Sequence, residues 1–201
     1  MDAALRAGIA VYNAGHHHAA HDAWEPVWLD LDQGSDDERL FHGLIQFTAA
    51  VYHARSRNWS GATGLATSAR EYLAGLPDDY RGVNVDAVRR WLADLAADPE
   101  RVERARPLAL THGGTALDLD VLDFDAAAVA AVVLAERGGY DESVVDDAVA
   151  YAREELNTAE SRFVALVFDF VGGERRALVY DRLRRHVERR RQRDSDVEGL
   201  F

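Results

Sequence analysis

Four of the eight histidines crowd into residues 16–21, within the stretch "NAGHHHAAHDAWEPVW". Imidazole titrates near neutrality and ligates metals, so such a run invites acid–base or metal chemistry. On a helix, His21, Glu25 and Trp28 stand at i, i+4 and i+7 with Trp24 beside them, so all four share one face. Two tryptophans pull that face inward, and an imidazole drawn in with them needs a partner, which Glu25 can supply. A second stripe lies in "LFHGLIQFTAAVYHARSR", where His42, Gln46, Ala49 and His53 fall along one line of an otherwise apolar helix. If the two stripes meet, His21 and Glu25 form the candidate catalytic pair, and Trp28, His42, Gln46 and His53 line the same pocket. His21, Glu25 and His53 together suit a divalent zinc, iron, nickel or manganese ion. Without a metal, the same groups suit general acid–base work with Glu25 orienting His21.

Plainer readings stand beside this one. Asp22 and Glu25 have the spacing of a capping box, which makes Glu25 a helix cap and leaves His21 ahead of the helix. The His/Gln stripe reads equally as a solvated helix face, or as a buried network that only holds structure. His16, His17 and His18 point in three directions on a helix, so they cannot all serve one site and read as solvated.

The elements that must position these groups are almost all helical. Leu5, Ile9 and Tyr12 mark a first amphipathic helix, stopped by "NAG" with Gly15 just past its end. A second helix spans about 16–31, with Pro26 removing one backbone donor and favouring a kink. "DQGSDDE" is a loop whose Ser35 or Asp36 caps the third and central helix. A fourth helix covers about 60–74, and a fifth follows Asn84 as N-cap. Residues 106–123, "RPLALTHGGTALDLDVLD", lose helical period and read as a crossing segment with a short hairpin. The next helices are "DAAAVAAVVLAE", "DESVVDDAVAYAREEL", "ESRFVALVFDFV" and "ERRALVYDRLRRHVERRRQR". In the last of these, Leu178, Leu183 and Val187 form an apolar stripe, and the arginines either pair with acidic neighbours or form a docking site for an acidic partner or RNA. "DSDVEGLF" reads as a terminal acidic loop. The expected fold is all-α: an irregular helical bundle over 1–105, a connecting segment over 106–123, and a smaller helical extension over 124–201.

Composition narrows the function classes. The chain has 201 residues, a net charge of −12 and 23 basic residues, all of them Arg. Abundant carboxylates without Lys resemble the surface of a protein from a salt-accumulating halophile, where molar salt screens repulsion within about 3 Å. An acidic surface argues against general nucleic-acid binding, which needs a basic face. Cysteine is absent, which excludes disulfides, Cys-ligated zinc and thiol nucleophiles. No run approaches the roughly 18 apolar residues of a membrane helix, and the N-terminus lacks a basic leader, so a cytoplasmic protein without membrane partners is expected.

"YNAGHHHAAHDAWEPVW" followed by "LFHGLIQFTAAVYHARSRNWSGA" resembles domain-of-unknown-function family 309 over about residues 3–76. The resemblance implies an all-helical bundle, with His21, Glu25, Trp28, Gln46 and His53 on the family's motif positions. Asp22 stands where the family usually has Glu, and His42 where it often has Gln. The C-terminal "RLRRHVERRRQRDSDVEGLF" resembles tails of haloarchaeal members. The resemblance carries a fold and a motif, and no reaction. The expected function is a helical binding or scaffold module around a His/Glu/Gln polar pocket. The alternative is a metal-assisted hydrolase or similar small enzyme using His21, Glu25 and His53. A divalent metal is the one cofactor the residues suggest. The partners left open are a protein, a small ligand or a second copy of the chain.

Overall fold

The computed structural model describes residues 1–156 and 161–198. Among these residues there are ten α-helices and one minimal hairpin, the all-α architecture that the periodicities predict. The chain divides into two compact units, Met1–Leu122 and Asp123–Phe201.

The first unit runs through α1 (Asp2–Asn13), α2 (His17–Leu29), α3 (Asp36–Arg55), α4 (Trp59–Leu73), α5 (Val85–Ala97) and the single turn α6 (Arg101–Arg104). Each of α1 to α4 packs on the next, and α3 takes the centre against α2, α4 and α6. Short connections explain that order, since helices joined by a few residues can only fold back on their predecessors. The turn after α1 shows the chemistry. Gly15 adopts φ +86°, its amide bonds to the Tyr12 carbonyl, and the His16 amide bonds to the Val11 carbonyl. That pair of bonds closes the helix end through a left-handed residue, a conformation that glycine adopts without cost. Leu5, Ile9, Trp24, Phe41, Phe47 and Leu92 are fully buried at the helix seams. Each contributes about 1.5–3 kcal/mol of burial free energy.

Two asparagines fasten the non-helical segment to this bundle. Asn13 donates to the Leu110 and Leu117 carbonyls and accepts from the Leu110 amide. Asn84 donates to the Ala109 carbonyl and accepts from the Thr111 amide. Asn84 does occupy the N-cap position of α5, yet its side chain makes no capping bond because it is spent on this clamp. Between the clamps, β1 (Thr111–His112) pairs antiparallel with β2 (Thr115–Ala116) across Gly113 and Gly114.

The second unit holds α7 (Phe124–Gly138), α8 (Glu142–Glu154), α9 (Arg162–Gly172) and α10 (Arg176–Glu198). Asp123, Asp141 and Ser161 each cap the helix that follows, accepting from the Ala126, Ser143 and Val164 amides. Phe163, Val167, Phe170, Leu183 and Val187 form its core. The apolar stripe of α10 includes Val179 rather than Leu178, which is exposed. Residues 194–198 continue α10 where a loop was expected, with Asp194 accepting from Arg190 one turn back. Residues 199–201 of that expected loop lie outside the described residues. Among the described residues no helix is long and apolar enough to cross a membrane.

Candidate functional site

The polar cluster of the first unit is built on the N-terminal half of α3. Ser35 caps the helix by accepting from the Glu38 amide, which places Glu38 in the first turn. There the unpaired amides and the helix dipole favour a negative charge. One turn on stands His42, and one turn further Gln46, so the three side chains form a single i, i+4, i+8 line. His42 Nδ1 lies 3.2 Å from Glu38 Oε1. Gln46 Nε2 lies 3.0 Å from His42 Nε2. The Trp28 indole, at the end of α2, donates to Glu38 Oε1 at 2.9 Å, and the Gly34 amide donates to Oε2 at 3.3 Å. Tyr72, near the end of α4, stacks on the His42 ring with centroids 3.8 Å apart, and Trp28 meets the same ring at 4.6 Å.

Burial alone pushes the Glu38 carboxyl up, but the bonds from Trp28, His42 and Gly34 outweigh it and hold the group below its ordinary range. Glu38 is therefore an ionised acceptor, and His42 donates to it through Nδ1–H. In that tautomer the ring accepts at Nε2 from the Gln46 amide. Both ring nitrogens are occupied, so His42 has no open lone pair with which to take a substrate proton. Gln46 Oε1 is buried without a hydrogen-bond partner. Above this chain opens a cleft of about 610 Å³, whose walls include Trp28, Leu29, Glu38, His42, Ser68, Glu71 and Tyr72.

The other predicted residues lie elsewhere. The helix starts at His17, five residues before Asp22, so the capping-box reading of Asp22 and Glu25 does not hold. His21 and Glu25 do pair, at 3.6 Å, but their side chains are 31% and 46% exposed. A contact this exposed contributes at most about 1 kcal/mol. His53 sits in the last turn of α3, and its Nδ1 accepts from Asn58 Nδ2 at 2.8 Å. Asn58 Oδ1 in turn caps α4 through the Gly61 amide, so His53 supports the α3–α4 corner. Among the described residues no three of His, Asp and Glu converge as metal ligands. The trio of His21, Glu25 and His53 is therefore not assembled as an ion site.

The reason is helix direction. α2 and α3 run antiparallel: Trp28, at the end of α2, meets Glu38 at the start of α3, while His18, at the start of α2, meets Tyr52 near the end of α3. His21 therefore faces the far end of α3 from His42. His42 and His53 share a stripe but stand about 16 Å apart along the axis, at 1.5 Å per residue. Glu38 and Tyr72 are the members that sequence reasoning missed. The i, i+4 step from Glu38 to His42 was a readable signal for the first; nothing local marks the second.

Residues 5–65 match the family model of the domain of unknown function DUF309. The DUF309 match takes in Trp28, Glu38, His42 and Gln46 and stops within α4, before Tyr72. An uncharacterized protein of Aquifex aeolicus (strain VF5) is similar at 26% identity over 89 residues, which is 44% of this chain and 26% of that protein. The matched stretch thus spans about a quarter of that relative's length. Neither description carries a named activity.

Proposed function

We propose that the first unit is a helical binding module whose cleft between α2, α3 and α4 receives a small, planar, largely apolar ligand. The observation that carries this reading is the state of His42. Its ring packs against Trp28 and Tyr72, and both its nitrogens are bonded within the protein. The three rings together form a rigid aromatic wall, and His42 does not serve as a general base. Leu29, at 68% exposed, borders the same cleft and offers an apolar contact that solvent now covers. Glu71 and Gln33 at the rim supply polar groups for a ring nitrogen. The Glu38–His42–Gln46 hydrogen bonds beneath hold the walls in place. The same reading takes the chain as a cytoplasmic protein of a salt-accumulating cell, since 23 Arg, no Lys and a net charge of −12 suit a surface bathed in molar salt.

Benzimidazole is a suitable neutral probe. Titrated into the full chain, it is expected to shift the Trp28 indole N–H resonance in a saturable way, and Tyr72→Ala is expected to weaken that response. A Trp28 indole signal that stays fixed at millimolar probe, or that moves equally in Tyr72→Ala, rejects the cleft as the binding surface.

A further inference from the structure

The second unit holds a pocket of about 610 Å³ lined by Glu155, Arg162, Phe163, His186, Arg189 and Arg193. We propose that this pocket is an anion site that binds a phosphorylated small molecule, with Arg162, Arg189 and Arg193 gripping the phosphate and Phe163 forming the floor.

The charge arrangement is the basis. On α10, Arg184, Arg185, Arg190 and Arg191 are each paired with carboxylates, in line with a docked and neutralised helix. Arg182, Arg189, Arg193 and, at the start of α9, Arg162 form no ion pair among the described residues, and the last three line one cavity. Among the described lining residues the one carboxylate is Glu155, which is already engaged, accepting from Ser161 Oγ at 2.9 Å and from Arg190 at 3.4 Å. In a chain of net charge −12, an uncompensated cationic pocket runs against the mean field, so the local excess calls for an anion from outside. Guanidinium forks match phosphate oxygens in shape and number of donors. The N-terminus of α9, an eleven-residue helix, adds its dipole through Arg162 and Phe163.

His186 lies beside these arginines in the same cavity. Burial lowers its pKa first, and the charges of Arg189 and Arg162 lower it further. The groups facing it are Phe163 and Arg162 of α9, Arg189 and Arg193 of α10, and the engaged Glu155 beyond the end of α8. The volume exceeds that of bare phosphate, which leaves room for an organic portion against Phe163.

The test is an NMR titration of the full chain with inorganic phosphate and with glucose 6-phosphate, at constant low ionic strength, read at the His186 ring protons. A bound dianion is expected to raise the His186 pKa. Arg162→Gln and Arg189→Gln are each expected to weaken binding about tenfold, the loss of one charge-assisted contact. Arg182→Gln changes an exposed arginine of α10 outside the pocket and is expected to leave binding unchanged. Glucose 6-phosphate is expected to bind at least as tightly as phosphate. Equal losses in Arg182→Gln and Arg189→Gln, an unmoved His186, or exclusion of the sugar phosphate each overturn the proposal.

Discussion

Glu38 is the side chain on which the cleft turns, because three donors converge on its two oxygens. Its pKa is lowered in the folded chain, so the unfolded state binds more protons on the acid side of neutrality. The stability it contributes is therefore fully present above its unfolded pKa of about 4.3 and is lost as pH falls through the folded value. Glu38→Gln is expected to lower stability at pH 7 by about 1–2 kcal/mol, the difference between charged and neutral hydrogen bonds. It is also expected to flatten the acid limb in urea unfolding. An unchanged acid limb assigns the charge no structural role. His17 is a second titrating group with a defined window. Burial, then the charges of Arg55 and His16, push its pKa down from 6.5 to about 4. Here too the unfolded state binds the extra proton, so stability falls as pH drops from 6.5 towards 4. His17→Gln is expected to remove that decline, which thermal unfolding at stepped pH would measure.

At the level of elements, the two tryptophans of α2 have different duties. Trp24 is fully buried over Gly8 of α1 and donates to the Leu5 carbonyl, whereas Trp28 is half-buried at the cleft. Trp24→Ala is expected to cost about 3–5 kcal/mol, as for a large core aromatic. Trp28→Ala removes one bond and partial packing and is expected to cost about 2 kcal/mol. The reverse ranking in chemical denaturation would invalidate the face assignment of α2. Gly8 and Gly15 are needed for separate reasons. A Cβ on Gly8 runs into the Trp24 indole, so Gly8→Ala is expected to overpack the α1–α2 seam by about 1–3 kcal/mol. A Cβ on Gly15 meets no atom within 4 Å, and its φ of +86° makes Gly15→Ala a backbone cost alone, about 1–2 kcal/mol. The His53 bond to Asn58 likewise ties the end of α3 to the cap of α4.

At the scale of the whole molecule, charge dominates. Net charge −12 on 22.3 kDa puts like charges close together in dilute buffer. Raising KCl from about 0.1 to 1 M shortens the screening length from about 10 to 3 Å. The melting temperature is expected to rise over that range. A flat or falling curve would mean that the ion pairs along α10 outweigh the repulsion elsewhere. The chelator EDTA is expected to leave the melting temperature unchanged, because no described trio of ligands converges on an ion.

The helices, their caps and the hairpin at Gly113–Gly114 were legible because they depend on residues a few positions apart: Ser35 before α3, Gly15 after α1, apolar residues every third or fourth place. The Glu38–His42–Gln46 line is equally local: His42 and Gln46 are legible in the stripe they share with Ala49 and His53, although that stripe leaves out Glu38. What spacing does not encode is direction and depth. A helical wheel superposes His42 and His53 though they lie three turns apart, and it carries no sign for whether α2 runs with α3 or against it. Packing decided that α2 runs against α3, which brought Trp28 to Glu38, sent His21 to the wet end, and delivered Tyr72 from a helix thirty residues on. Local hydrogen bonds and periodicity belong to the chain itself. The meeting of distant side chains belongs to the way whole helices bury their apolar faces, and only the folded molecule records it.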